Sequence, residues 1–168
     1  MPSSEELLQA GDFRFEECIL KSSSGVVVED FQKQIVSLEI TEDIFKNSMQ
    51  GLVVVIDSNN LPVNMPLTGQ DFLTLKIITP GIQSQPVIDT VFCITQLVGR
   101  HEDLSVGAMT YTFKLVSPET LRDNRVRVQS SYTDTPSKVV EHVMKNFIKS
   151  TKNLTIEETT GTRKYVSP

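Results

Sequence analysis

Few residues in this chain have types and spacing that could support catalysis or metal binding. Catalysis needs a nucleophile, a base or a metal converging in space, and the sequence holds only two histidines, His101 and His142. Neither has a second histidine at metal-ligand spacing, so both are interpreted as surface or rim residues. The sequence therefore predicts no catalytic residue, no metal site and no cofactor, and the chain is not expected to be an enzyme.

Two polar segments resemble functional sites. Residues 100–103 (RHED) concentrate charge, but neighbouring charges in a loop between strands are more often solvated than catalytic. Residues 57–60 (DSNN) hold closely spaced oxygen ligands, but they lack the glycine and the terminal glutamate of a helix–loop–helix calcium site. The sequence favours a loop for the first segment and a turn for the second.

The two cysteines, Cys18 and Cys93, lie far apart in apolar-rich segments. No spacing motif supports a disulfide or a shared metal ion. We predict that both are small buried hydrophobic side chains.

Composition narrows the functional class. The chain has 168 residues, of which 39% are hydrophobic, and its net charge is −5. These values argue against wholesale disorder and against a dedicated nucleic-acid-binding protein. The longest apolar run spans residues 52–56, far below the roughly 20 residues that cross a bilayer, so no membrane anchor is expected. Residues 1–6 are polar and acidic and do not resemble a secretory signal, which predicts a cytoplasmic start.

Charge is unevenly distributed along the chain. Residues 1–116 carry 7 Lys+Arg and 15 Asp+Glu, a net charge of −8, whereas residues 117–168 carry 9 and 6, a net charge of +3. The predicted secondary structure changes from strands to helices at the same place. We place a domain boundary there, although chance variation among solvated side chains could produce the charge difference by itself.

The first domain, residues 1–116, is predicted to be mainly β. The clearest strand spans residues 108–116, where Met109, Tyr111, Phe113 and Leu115 alternate with polar residues. About seven strands separated by loops are typical of an antiparallel β-sandwich or barrel. The other predicted strands cover residues 13–20, 26–28, 34–40, 52–56, 72–79 and 91–98.

Alternation also predicts which face of each strand is buried. The segments between strands are predicted to be one helical turn at 41–45, an irregular or edge-like stretch at 61–69 and a loop at 99–107. The residues predicted to share a face are Phe13, Phe15 and Ile19 in the first strand, Val36, Leu38 and Ile40 in the strand at 34–40, and Leu73, Leu75 and Ile77 in the strand at 72–79.

Helices are predicted only after the boundary, in a C-terminal α+β segment. Ser117-Pro118 and Thr135-Pro136 each combine an N-cap residue with a first-turn proline. They predict a short helix over 118–124 and an amphipathic helix over about 135–149, followed by a strand from 154. The amphipathic helix carries one apolar stripe, and few residues follow the helix to pack against it. This arrangement indicates the start of a second, truncated domain. The stripe consists of Val139, Val140, Val143, Met144, Phe147 and Ile148.

Candidate contact residues lie in the turn-like segments. Ile44 and Phe45 are apolar in a polar setting, so they could dock on a neighbouring subunit or cap the core of their own domain. Leu61, which follows the turn at 57–60, is a third candidate interface residue. The residues predicted to set turn geometry, and not to contact a partner, are Asp57, Asn60, Pro66 and Gly69.

The order of several segments resembles a known family. The segments are residues 40–45 (ITEDIF), Gly51, residues 56–61 (IDSNNL) and residues 66–71 (PLTGQD). With the later strands and the helix that begins at Thr135-Pro136, they resemble the N-terminal part of the baseplate central hub subunit of contractile-tailed, T-even-like bacteriophages. The resemblance covers most of residues 13–168 and rests on the ordered set of segments.

The resemblance implies a structural virion protein of the tail baseplate, assembled in the host cytoplasm. Hub subunits of this family form homotrimers, and each carries two tail-tube-like β-domains, so three chains make a pseudo-sixfold ring. Such a ring joins the tail tube protein to the central spike protein, contacts other baseplate proteins and lets genomic DNA pass without specific binding. Residues 1–116 would be the first tube-like domain, and their net charge of −8 would repel the phosphates of passing DNA.

Three alternatives stay open. The chain could be another phage tail tube or baseplate component. It could be a ligand-binding β-sandwich module, which would need exposed aromatic residues or a polar cleft, whereas Tyr111 and Phe113 fit a core pattern. It could be a hydrolase, since hub–spike proteins sometimes carry cell-wall lysing domains, but no carboxylate pair stands out.

Overall fold

The computed structural model describes residues 12–46, 48–57, 60–79, 88–103 and 107–166. Strands make up 48% of it and helices 19%, which confirms the predicted mainly-β fold. The chain divides into two compact units, Met1–Pro118 and Glu119–Pro168, called unit 1 and unit 2. Residues 1–6, the basis for predicting a cytoplasmic start, lie outside the described residues.

Unit 1 is built on one seven-stranded antiparallel sheet that curls into a half-barrel. The strand order is β2-β1-β5-β6-β7-β4-β3, so β2 and β3 form the two edges. A 3-10 turn at Phe31–Gln34 and a short helix, α1, at Leu61–Asn64 accompany the sheet. The strands are β1 Arg14–Lys21, β2 Val27–Val28, β3 Ile35–Glu42, β4 Met49–Asp57, β5 Asp71–Ile78, β6 Ile88–Asp103 and β7 Ala108–Val116.

The core lies on one face of this sheet, which we call the inner face. Phe31, Leu61 and Met65 join the same buried cluster from outside the sheet. Full burial of a large apolar side chain is worth roughly 1.5–3 kcal/mol, so apolar packing dominates the stability of unit 1. The inner-face residues of β5 and β7 follow the predicted alternation; they are Leu73, Leu75, Ile77, Tyr111, Phe113 and Leu115.

A β-bulge overturns the predicted face of β1. The register with β5 shifts between Phe15 and Glu17, so the alternation inverts within the strand. Cys18 and Leu20 take the buried positions, and Ile19 points to the opposite face. The prediction that Phe15 and Ile19 share a face is therefore wrong, and Phe13 precedes the strand.

A second bulge has the same effect in β3. Its register with β4 shifts between Ile35 and Ser37, and Val36 is 59% exposed. Leu38 and Ile40 pack against the core, but Val36 does not share their environment. The extra residue of a bulge moves the following side chains to the other face of the sheet. The alternation of apolar and polar residues does not predict where a bulge occurs.

Three connecting segments differ from their predictions because strand pairing and capping satisfy their backbone groups. Residues 41 and 42 extend β3 by pairing with β4, so the predicted helical turn at 41–45 is a tight hairpin turn. β6 continues to residue 103 along β7, so the segment 100–103 is strand and not loop. The stretch predicted to be irregular at 61–69 begins with the helical turn α1.

Unit 2 holds two short strands and a longer helical segment. α2 covers Pro118–Asp123, and α3 covers Pro136–His142 and continues as a π-helical turn over Val143–Ile148, close to the predicted helix at 135–149. β8 at Ser131–Asp134 pairs antiparallel with β9 at Arg163–Val166. The strand predicted from residue 154 is wrong, because residues 153–160 have no regular structure.

The helical stripe of unit 2 is only partly buried. Ile148 is buried, whereas Val140 is 55% exposed. The other members of the stripe are half-buried.

Candidate subunit interface

The β3–β4 hairpin presents two large apolar side chains to solvent. Ile44 is 91% exposed and Phe45 is 93% exposed. Both lie in a tight turn, in which the Lys46 N–H donates to the Asp43 carbonyl oxygen at 2.9 Å. We call residues 43–46 the tip. Their exposure rules out the alternative that Ile44 and Phe45 cap the core of their own domain.

A carboxylate orders the tip. The Phe45 N–H donates to Asp43 Oδ1 at 3.0 Å, and Lys46 Nζ lies 3.4 Å from Asp43 Oδ2. The backbone hydrogen bond from Phe45, reinforced by Lys46, lowers the pKa of Asp43 from its ordinary value of 3.8. The carboxylate is therefore ionised at neutral pH and holds the turn that displays the two apolar side chains.

The tip adjoins an open sheet edge. β3 is the last strand on its side of the sheet, and within the described part of the chain it pairs with β4 alone. An edge strand of eight residues leaves backbone N–H and C=O groups available to another chain. The opposite edge is the two-residue strand β2. Among the strands that the structure describes, both edges of the half-barrel are open, so neighbouring copies can close it.

The turn after β4 is capped by its own aspartate. Both carboxylate oxygens of Asp57 accept a hydrogen bond from the Leu61 N–H, at 3.0 and 2.8 Å. Asn60 takes the left-handed conformation, with φ 54°, immediately before α1. These contacts start the helical turn and direct Leu61 into the core, where it is 2% exposed. The prediction of Leu61 as an exposed contact residue is corrected, because its side chain packs in the core of its own unit.

A buried carboxylate that was not predicted as a site residue organises the next turn. Asp71 is 0% exposed. Its Oδ2 accepts hydrogen bonds from the Thr68 N–H at 2.7 Å and the Gly69 N–H at 3.0 Å, and its Oδ1 accepts one from the Ser23 N–H at 3.2 Å. One side chain thus ties the segment before β5 to the segment after β1.

Pro66 and Gly69 lie within this tied segment. The Pro66 carbonyl oxygen accepts a hydrogen bond from the Ser22 hydroxyl at 3.5 Å. Gly69 has φ +81°, a backbone conformation that residues other than glycine rarely adopt. The sequence contains a pattern that indicates this role of Asp71. An aspartate two residues after a glycine, at the start of an alternating strand, is typical of a side chain that caps a turn.

Residues 61–67 form a small apolar groove against β6 and β7. Its volume is about 260 Å³. Leu61, Tyr111 and Phe113 are buried at its floor, and the two rings stack with centroids 5.8 Å apart. Leu97, at the rim, is 51% exposed. We call this site the groove; its lining residues are Leu61, Pro62, Pro66, Leu67, Leu97, Tyr111 and Phe113.

The two histidines lie in different secondary-structure elements. His101 is exposed on β6. His142, in unit 2, packs edge-on against Tyr132 at 5.5 Å and Phe147 at 5.8 Å. Across the described ranges, no cluster of three or more His, Cys, Asp or Glu could hold a metal ion.

Both cysteines are buried and neither forms a disulfide, in agreement with their predicted role as small hydrophobic side chains. Burial raises the pKa of Cys18 to about 12, so its thiol stays protonated at neutral pH. None of the described helices is long and apolar enough to span a bilayer.

Comparison with known proteins assigns no family to this chain. No protein-family model matches the sequence, and no curated protein matches it. The candidate interface therefore rests on the tip, the β3 edge and the groove.

Proposed function

We propose that this chain is a structural subunit of a phage tail baseplate hub. Three copies form a ring that joins the tail tube to the central spike and surrounds the DNA channel. The observation that carries the proposal is the open half-barrel of unit 1, with β2 and β3 at its edges. Identical curled sheets that meet edge to edge close into a cyclic assembly and satisfy each other's backbone groups.

Exposed apolar side chains support an assembled state. Ile44 and Phe45 are each more than 90% exposed on an ordered turn. Burying one such side chain against a neighbour contributes roughly 1.5–3 kcal/mol. A lone subunit forgoes that stabilisation, and an oligomer recovers it.

The surface charge of unit 1 supports passage of DNA without specific binding. Acidic side chains outnumber basic ones in residues 1–116 by 15 to 7. A wall of like charge repels phosphates and prevents them from adhering. The exposed acidic residues in the described part of unit 1 include Glu16, Glu17, Glu29, Asp30, Glu39, Glu42, Asp89 and Glu102.

Electron microscopy of the purified full chain tests the proposal. Class averages are expected to show a ring with threefold or pseudo-sixfold features. A ring of six identical copies would point instead to a tail tube component, and a lone globule at high concentration would contradict any ring.

A substitution at the β3 edge sharpens this test. Val36→Lys places a cation on the exposed edge strand, where lysine opposes edge-to-edge pairing, and it is expected to abolish the ring without unfolding the chain. Val140→Lys is the matched control, since Val140 has a similar exposure of 55% but lies on α3. The control is expected to keep the ring.

A further inference from the structure

We propose that the tip of one copy docks into the groove of a second copy, with Phe45 as the anchor. The inference rests on the proposed function for the closure of the ring, but the contact itself needs only two copies of this chain. It pairs the two most exposed large apolar side chains in the described residues, Ile44 and Phe45, with an apolar depression of the same unit.

The size and lining of the groove suit an aromatic side chain. Its volume of about 260 Å³ lies below the roughly 300–1,000 Å³ of small-molecule sites. No charged side chain lines it, and Tyr111 supplies its one side-chain polar group. Interfaces concentrate their binding energy where an aromatic anchor enters a desolvated pocket, and Phe45 has the shape and the exposure of such an anchor.

The positions of tip and groove require a second copy. The tip immediately precedes β4, whereas Leu61 of the groove follows its other end at Asp57. The floor residues Phe113 and Tyr111 pair with Val53 and Val55, about 13–20 Å along β4 from its first residue at roughly 3.3 Å per residue. Phe45 is 93% exposed in its own chain, so it does not fill the groove of that chain. Each copy therefore presents the tip at one site and the groove at another. Such head-to-tail contacts generate rings when the rotation between copies closes.

Charges beside the two surfaces are complementary. The tip carries Asp43 and Lys46 on either side of the apolar pair. Arg100 lies opposite Tyr111 in the β6–β7 ladder, and Glu102 lies opposite Met109, so both exposed charges share the face of the groove. An anion and a cation on the tip can thus meet a cation and an anion beside the groove, which would set the register of docking.

A complementation experiment with full-length chains tests the contact. Phe45→Asp disables the tip but keeps the groove, and Leu97→Asp disables the groove but keeps the tip. Each variant alone is expected to sediment as a single chain of 18.8 kDa. A mixture of the two is expected to form dimers of twice that mass and nothing larger, since the intact tip of one fits the intact groove of the other.

Control variants keep this experiment decisive. Val140→Asp, which changes an exposed residue of α3, is expected to assemble like the unmodified chain. Pro62→Asp is a second groove variant, since Pro62 is exposed at the rim and its replacement does not touch the buried floor. Circular dichroism verifies that every variant keeps its strand content.

The outcomes separate this contact from the proposed function. If the unmodified chain forms rings and Phe45→Asp forms them equally well, the tip–groove contact is wrong and the hub proposal stands. If the unmodified chain forms open filaments that Phe45→Asp abolishes, the contact stands and the closed ring is wrong. Failure of the mixed variants to dimerise overturns the contact.

Discussion

Unit 1 and unit 2 bury their apolar residues to very different extents. In unit 1, 14 buried residues form one cluster on the inner face of the sheet. In the described part of unit 2, Ile148 is the one buried large apolar side chain, accompanied by the buried carboxylate of Glu119. Apolar packing therefore stabilises unit 1 more strongly than it stabilises unit 2. A rigid unit 1 is what can hold a tip and a groove at fixed positions.

The largest effect is expected in the core of unit 1. Phe92 is 0% exposed, so Phe92→Ala is expected to lower the free energy of unfolding by about 3–5 kcal/mol through lost burial and a cavity. Urea unfolding followed by circular dichroism measures this change. Phe72→Ala is the control, because Phe72 is 40% exposed on the adjacent strand. Equal losses for both variants would contradict the assignment of inner and outer faces.

The second effect concerns the buried carboxylate of unit 1. Three backbone N–H groups donate to the two carboxylate oxygens of Asp71, and Asp71→Asn removes the charge and replaces one of these acceptor oxygens with an NH2 donor. Hydrogen bonds to charged groups are worth about 1.5–3 kcal/mol, so a loss of about 2–3 kcal/mol in the free energy of unfolding is expected. Asp89→Asn changes an exposed aspartate of β6 and serves as the control. A loss no greater than that of the control would show that Asp71 does not organise the turn.

A smaller and more local effect is expected in unit 2. Glu119 accepts a hydrogen bond from the Ser150 hydroxyl at 3.1 Å and lies 3.4 Å from Lys152 Nζ. Glu119→Gln keeps the hydrogen bond but removes the ion pair, which is expected to cost about 1–2 kcal/mol. Hydrogen exchange should accelerate across residues 144–152 and stay unchanged in β5 and β7. Glu157→Gln, at an exposed position, is the control, and faster exchange throughout unit 1 would contradict the local role.

The smallest effect is the acid titration of the tip. Because the pKa of Asp43 is lowered, its bond to Phe45 is present above the ordinary value of 3.8 and is lost as the pH falls through the lowered pKa. The amide chemical shift of Phe45, followed by NMR, should therefore titrate with a midpoint below 3.8. Asp43→Asn should abolish that titration. A midpoint above 3.8 would contradict the ordered turn.

Alternation predicted the sheet well where pairing is regular. β5 and β7 bury the expected side chains, because the register shifts in their ladders place the extra residues on β1 and β6 and leave β5 and β7 continuous. It failed for Ile19 and Val36, where bulges invert the alternation. It also failed for residues 100–103, since cross-strand hydrogen bonds can hold a charged segment in a ladder. Local polarity does not reveal the partner strand.

The candidate site was predictable only in part. Ile44 and Phe45 are apolar residues in a polar turn, which identified them as candidate contact residues, and the structure exposes both. The groove could not be predicted, because Leu61, Leu97 and Phe113 are distant in sequence and meet only through the strand order and the capping of α1.

Native mass spectrometry of the full chain tests the ring most directly. The expected species is a closed trimer of about 56 kDa, three times the 18.8-kDa chain, with no continuous ladder of larger species. A single species of 18.8 kDa at high protein concentration would contradict it.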